Sequence, residues 1–337
     1  MSMTSRIAAI VAYAFLGAAC SQSKREAVEA NNRAVKWLKE QKYEAAAGEL
    51  RKAIQADGSV ASFHANLGFA LRELRRFDEA SASLETALRL ASANAEVEVQ
   101  LGACYRELGK RDLSRRAWES AARRLPQPID PWNPAAVFWS ARALERLGEL
   151  AREEDDPEGA RLGYERAIRA TVPFLSRPAL ASASAEGRLI DDLKEMAMRN
   201  YQRLAWLYAD HGDLVSARGV LENAIASPGN RAYVHATLGY VHATEALGAS
   251  VASEKDALFL RAAAAYRQAL EIQSNDPIAL FGVGMSLAAL SPKAGEPHRD
   301  EAKRVLRKFI QSLESTRADS VRVEIARTRL AELSSRP

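Results

Sequence analysis

The sequence predicts an all-α chain assembled from a repeated helix pair. Two observations carry that expectation. Ala is abundant while Val, Ile and Thr are sparse, which favours helices over strands. The chain also repeats itself. RRFDEASASLETAL superposes on QKYEAAAGELRKAI, setting Phe77 on Tyr43, Ala80 on Ala46, Leu84 on Leu50 and Ala87 on Ala53, each 34 residues on. A further step of 34 puts Ser114, Trp118 and Ala121 on the last three positions, and Gly68 and Gly102 share the spacing. A fixed period of this length marks an array of stacked units.

These residues at this period resemble the tetratricopeptide repeat family. The resemblance implies an α–α superhelix, a right-handed solenoid of antiparallel helix hairpins. Each unit would bury its apolar face only against its neighbours. The small residues then have a physical task. Ala46 or Ala80 lets the two helices of one hairpin approach, and Ala53 or Ala87 lets the second helix pack on the next unit. Leu50, Leu84 and Trp118 fill the space between.

Three regular units are expected over 27–128. The first, 27–60, carries Ala34 where the later two carry Gly68 and Gly102. Pro126 closes the third. PQPIDPWNP then stops one helix and delays the next, and 129–197 reads as an irregular unit with an inserted segment. A helix is expected from Ala135 to Arg152. Asp156 and Pro157 read as the N-cap and first residue of another, with Ala160, Tyr164 and Ala167 on its packing face. Residues 171–187 fit no copy and read as a loop or short helix covering the array. A longer helix follows from about Arg188.

Three further units are expected over 198–316, two of them with long inner loops. Their packing positions are Ala217 and Ala224 in the first, then Gly239, Ala262 and Ala269 in the second. The last begins at Pro277, with Gly284 on the glycine position, and continues past SPKAGEPHRD with Ala302, Leu306 and Phe309. The inner loops fall around LGASVASEKD and SPKAGEPHRD. Residues 317–337 read as the polar-faced capping helix that such arrays need.

The leader, MSMTSRIAAIVAYAFLGAAC, has the layout of an export signal. Arg6 precedes an apolar run from Ile7 to Leu16, and Gly17, Ala18 and Ala19 lead into Cys20. The run is short for a membrane span. The layout resembles a bacterial lipoprotein signal. That resemblance implies removal of 1–19, lipidation of Cys20, and a short tether over 20–26. Ser21, in place of Asp, implies sorting to the outer membrane, facing the periplasm. An ordinary cleaved signal, an uncleaved anchor and a cytoplasmic protein with an apolar first helix are the other readings of this segment.

The formal charge of +4 over 337 residues is a mild excess, and Arg and Glu alternate as on a solvated surface. No basic block reads as a nucleic-acid arm. Cys20 and Cys104 are the two cysteines, so no disulfide framework is expected. Cys104, within GACYRELG, reads as a small buried residue, with a disulfide to a partner as the alternative. The sequence has no glycine-rich nucleotide loop, no H-E-x-x-H and no Cys-x-x-Cys. Residues 282–286, GVGMS, share only composition with the serine elbow G-x-S-x-G. His235 and His242 lie seven apart on one helix face and read as packing or hydrogen-bonding groups, with approach to a metal as the alternative. No catalytic residue, metal, cofactor or small-molecule substrate is expected.

In the family, the first helix of each unit lines the concave surface through its second, fifth, ninth and twelfth residues. The resemblance therefore implies a peptide groove. Arg199, Gln202 and Trp206 line it, then Tyr233 and Tyr240, then Ile278, Phe281 and Met285. The earlier units place Ser62, Phe69, Arg72, Glu96, Val99 and Arg106 there, a more polar set. Aromatic anchors suit a groove because they bury much area with few rotors. The capping helix or the 171–197 segment could instead fill the groove, or copies of the chain could associate through it. Trp132 and Trp139, near the irregular break, read as plugs for the gap that the longer unit creates, with a second contact patch as the alternative.

The expected function is a non-catalytic scaffold in the bacterial cell envelope, with protein or peptide partners and a lipid anchor. The family includes lipoproteins that help assemble outer-membrane secretin rings for type IV pili, and scaffolds of secretion and motility machines. An accessory subunit of a cell-wall or surface-polysaccharide enzyme complex is the alternative.

Overall fold

The computed structural model describes residues 22–130, 132–176, 185–229, 231–291, 296–314 and 320–335. The leader and Cys20 lie outside the described residues. All regular structure among the described residues is helical. The helices pair in order: α1 (22–39) with α2 (Tyr43–Ala56), α3 (Ala61–Glu73) with α4 (Phe77–Leu90), and α5 (Ala95–Glu107) with α6 (Arg111–Arg123). Then come α7 (Pro134–Glu153) with α8 (Pro157–Thr171), and α9 (Ala185–Asp210) with α10 (Leu214–Ala226). The last pairs are α11 (Ala232–Gly248) with α12 (Ala252–Ile272), and α13 (Pro277–Ala288) with α14 (Glu296–Glu314). Helix α15 (Ser320–Ser335) closes the array.

The chain divides into two units. The first comprises the residues up to Gln127 together with Trp139–Leu147. The second comprises Pro128–Phe138 and everything from Gly148 onward, so α7 contributes to both. Each unit is an all-α solenoid of stacked antiparallel helix pairs.

One packing rule recurs. A small residue on the first helix of each hairpin faces a large one on the second. In the first unit, a Cβ added to Gly68 would stand 2.5 Å from Leu84 Cγ, and one on Gly102 would stand 2.4 Å from Trp118 Nε1. Trp118 is wholly buried and its indole donates to Val99 O at 3.1 Å. Ser114 Oγ donates to Gly102 O at 2.8 Å, which stitches the same two helices. In the second unit, Gly148 faces Tyr164, Gly239 faces Tyr266 and Gly284 faces Leu306. Buried Ala34 and Ala205 hold the small position opposite buried Leu50 and Leu221. Ala46, Ala53, Ala80, Ala87, Ala217, Ala224, Ala262 and Ala269 are all buried.

A second rule sets where the first helix stops. Gln41, Arg75, Gly109, Asp155 and Gly212 all have positive φ, and each lies seven residues after its hairpin's small residue. One left-handed residue ends the helix and returns the chain. At several starts a side chain caps the exposed N–H groups. Asn94 accepts from Val97 N, Asn133 from Ala136 N, Asp156 from Gly159 N and Asp213 from Ser216 N.

Several expectations change. The tether over 20–26 is helical from residue 22. Ala27 and Ala30 dock against Ala53 and Phe63, and Ser23 Oγ donates to Ala56 O at 2.6 Å. The inner loop expected at LGASVASEKD is three residues long. Helices α11 and α12 absorb the rest, because no left-handed residue intervenes and SEKDALFLRAAAAYRQAL favours helix throughout. The second inner loop is shortened because α14 already begins at Glu296; residues 292–295 lie outside the described residues. Within 171–187, a single 3-10 turn at Val172–Phe174 buries Phe174 and Leu175, and α9 starts at Ala185; residues 177–184 lie outside the described residues. Trp132 is 73% exposed and plugs no gap; its backbone N–H donates to Asp130 Oδ1 at 2.9 Å. Trp139 is half-buried.

Candidate peptide-binding groove

Within the second unit, α11 packs between α9 and α13, so three first helices present one continuous face. A cavity of about 350 Å³ opens there. Gln202 and Trp206 come to it from α9, Tyr233 and Tyr240 from α11, and Ile278 and Phe281 from α13. These are the residues whose repeat positions placed them inward. Trp206 and Tyr240 lie with ring centroids 4.6 Å apart at 45°. Phe281 leans on Phe309 behind it, at 5.2 Å. Tyr240 is 42% and Ile278 53% exposed, so the rim is apolar and open to solvent.

Arg199 and Met285 do not line the cavity. Arg199 is half-buried in mid-helix, because α9 begins far upstream at Ala185. Met285 is half-buried against the core of the last hairpin, where α15 packs on α13.

Among the lining residues that the repeat register did not supply are Tyr266 from α12, Asp276 at the N-cap of α13, and Arg322 from α15. For Tyr266 the signal was present, since Gly239 and Gly282 bracket its ring. For Arg322 there was none, because it depends on how the last helix docks.

The polar groups fall into two sets. Gln202 Nε2 donates to Thr237 Oγ1 at 2.9 Å, and Thr237 Oγ1 donates to Tyr233 O at 2.8 Å. Tyr233 OH donates to Glu195 Oε1 at 2.9 Å, while Arg231 Nε donates to Glu195 Oε2 at 2.9 Å. Burial, and then the Glu195 charge, push the Tyr233 phenol well above its usual range. Burial does the same to Tyr266, with Tyr240 adding and Arg322 opposing. Both phenols are therefore neutral donors at ordinary pH. The other set is turned to the cavity. The Trp206 indole N–H and the hydroxyls of Tyr240 and Tyr266 make no hydrogen bond among the described residues.

The lining has no His, Cys, Ser or Lys, and its one carboxylate, Asp276, caps α13 by accepting from Ala279 N at 2.8 Å. Its chemistry is that of contact. His235 and His242 are buried elsewhere on α11, with His242 Nδ1 3.0 Å from Glu245 Oε2. No group of three or more His, Cys, Asp or Glu among the described residues could hold a metal ion. Cys104 is buried, and burial pushes its thiol up to about 11.

The first unit has its own recess of about 350 Å³, lined by Arg72, Arg75, Arg106 and Arg146 with Glu73 and Glu107. Its charges are partly matched along each helix. Arg72 pairs with Glu73, and Arg106 with Glu107 at 3.6 Å. Phe69 stands beneath Arg72, with 5.3 Å between guanidinium and ring centre. Val99 is buried rather than groove-facing, and its carbonyl accepts from the Trp118 indole.

Residues 61–94, the α3–α4 hairpin, match the tetratricopeptide repeat model. The chain therefore carries a tetratricopeptide repeat within an all-α array of antiparallel helix pairs, an architecture typical of protein–protein interaction scaffolds. Among solved structures, it is similar to PilF of Pseudomonas aeruginosa at 17% identity, covering 77% of this chain and 96% of that one, with a TM-score of 0.49. The C-terminal part of a TPR repeat-containing protein from Cytophaga hutchinsonii is similar at 12% identity, covering 90% and 94%, with a TM-score of 0.47. The second TPR of Spaghetti (RPAP3), bound to an HSP90 peptide, is similar at 27% identity, covering 30% and 93%, with a TM-score of 0.29. No curated protein matches the sequence.

Proposed function

We propose that this protein is a non-catalytic scaffold of the bacterial cell envelope, held by lipid on Cys20 at the outer membrane and facing the periplasm. Its groove in the second unit captures a peptide segment of a partner protein. The observation that supports the groove is the Trp206–Tyr240 pair beside Phe281 and Ile278, an apolar rim left open to solvent. Support for the anchor is the leader ending in Cys20. No helix among the described residues is long and apolar enough to cross a membrane.

The partner machine we favour is a pilus, secretion or motility assembly. A cell-wall or surface-polysaccharide enzyme complex is the alternative. Mass spectrometry of protein extracted from native membranes tests the anchor. A mature chain beginning at Cys20 with acyl chains is expected, and an unacylated chain starting elsewhere would remove the outer-membrane placement. Crosslinked neighbours from the same membranes separate the two machines. For the groove, Trp206→Ala should abolish partner capture and lower the melting temperature little. A collapse of the melting temperature would instead make Trp206 a core residue.

A further inference from the structure

We propose that the recess of the first unit, at the C-terminal ends of α3 and α5, binds a phosphate monoester carried on a small soluble organic body. Arg72, Arg75, Arg106 and Arg146 hold the phosphate. The site lies within the first unit and stands independently of the groove in the second.

The recess measures about 350 Å³ and gathers those four arginines around two carboxylates, Glu73 and Glu107. Helix ends explain part of that charge. The C-terminus of a helix carries a partial negative charge, which a cation in the last turn offsets. Arg72 does this for α3 and Arg106 for α5. Each also pairs with the glutamate that follows it. Arg75 and Arg146 exceed what those two helix ends need. Arg75 follows the end of α3, and Arg146 comes from the middle of α7.

Arg75 carries the inference furthest. Its guanidinium makes no hydrogen bond or ion pair among the described residues, and its contact is the Phe77 ring, 5.8 Å away. The next residue, Arg76, shows the contrast: its Nε and Nη2 both donate to Glu79, each at 2.7 Å. Arg75 also occupies the left-handed turn position that Gly109 and Gly212 hold in other hairpins. The backbone there does not need its side chain.

Several guanidinium forks around one recess suit a phosphate better than a carboxylate. One guanidinium already satisfies a carboxylate in a bidentate pair. A phosphate monoester has three terminal oxygens and a charge of about −1.5 to −2 at neutral pH, so it accepts forks from several sides. Phe77 and Ala103 add an apolar wall for the organic body. The direction of the helices favours a soluble ester over a lipid headgroup. Helix α1 starts at residue 22, close after Cys20, and is about 27 Å long. Helices α3 and α5 run the same way, so the recess opens at the end away from the proposed anchor.

The test is isothermal titration calorimetry of the full-length, detergent-solubilised protein. The probes are glucose 6-phosphate, citrate as a polycarboxylate, and dihexanoyl phosphatidic acid as a lipid phosphomonoester. Glucose 6-phosphate should bind about tenfold more tightly than either of the others. Its affinity should fall about tenfold between about pH 7.5 and about pH 5, as the second phosphate proton returns with a pKa of about 6. Arg75→Gly should weaken it about tenfold without lowering the melting temperature, because glycine suits that backbone. Arg116→Gln, at an exposed arginine outside the recess, should change nothing. Citrate binding as tightly as the ester, or an affinity flat across that pH range, would overturn the phosphate. Tighter binding of the phosphatidic acid would make the occupant a lipid headgroup and overturn the soluble ester. No binding of any probe, or binding that Arg75→Gly leaves unchanged, would overturn the site.

Discussion

Gly48 and Gly68 are both interior to helices, and what stands opposite each decides its role. Nothing lies within 4 Å of a Cβ built on Gly48, whereas Leu84 blocks the one on Gly68. Gly48→Ala should stabilise the protein by about 0.5–1 kcal/mol, since it loses only backbone freedom in the unfolded chain. Gly68→Ala should destabilise it by about 1–3 kcal/mol through overpacking. Urea unfolding of the two variants side by side checks the opposite signs. Charge is handled with similar locality. Buried Glu98 accepts from Arg124 Nε at 2.8 Å, Arg124 Nη2 at 2.7 Å and Ser120 Oγ at 2.8 Å. Arg124→Ala should cost about 1–3 kcal/mol, because the carboxylate stays buried with its main donor gone. A loss under 0.5 kcal/mol in the same assay would show that solvent replaces the guanidinium.

The length of five of the first helices follows from one residue. Where a left-handed residue comes seven positions after the small one, as at Gln41 or Gly109, the helix ends. In α11 the corresponding position is buried Ala246, and the helix runs on to Gly248. The left-handed conformation costs an L-residue about 1–2 kcal/mol, part of which glycine returns as entropy of the unfolded chain. Gln41 is exposed and pays that cost for backbone geometry alone. Gln41→Gly should therefore stabilise the protein by about 0.5–1 kcal/mol, read as a higher urea midpoint with an unchanged slope. A lower midpoint would mean that the glutamine side chain contributes to the turn.

The array must end somewhere, and α15 ends it. Ala326 and Leu333 join the core formed by Leu306, Phe309 and Leu313, and Arg329 Nη2 donates to Ala288 O at 2.6 Å, satisfying the end of α13. Truncation before Ser320 would expose that core, because a solenoid unit buries its apolar face only against a neighbour. The truncated protein should melt at a lower temperature and self-associate in size-exclusion chromatography with light scattering. A monomer of unchanged melting temperature would show that α15 contributes nothing to closure.

Much of the fold was legible in the sequence because its rules are local. The 34-residue period, the small-to-large pairs such as Gly68 with Leu84, and caps such as Asp156 each involve residues close in the chain or one repeat away. The lining positions Gln202, Trp206, Tyr233, Tyr240, Ile278 and Phe281 followed from the same register. The sequence did not reveal Gly148 as the partner of Tyr164, because the longer α7 breaks the period that marked Gly68 and Gly102. The long α9 was expected from about Arg188 and starts at Ala185, yet the repeat register still counted its mid-helix Arg199 as a lining residue. Tertiary structure alone brought Arg322 to the groove and turned Met285 toward the last core, since both depend on how α15 docks on α13. A repeat register assigns each residue a face of its own helix. Which side chains share a cavity depends on helix lengths and on the terminal helix, and neither of those is periodic.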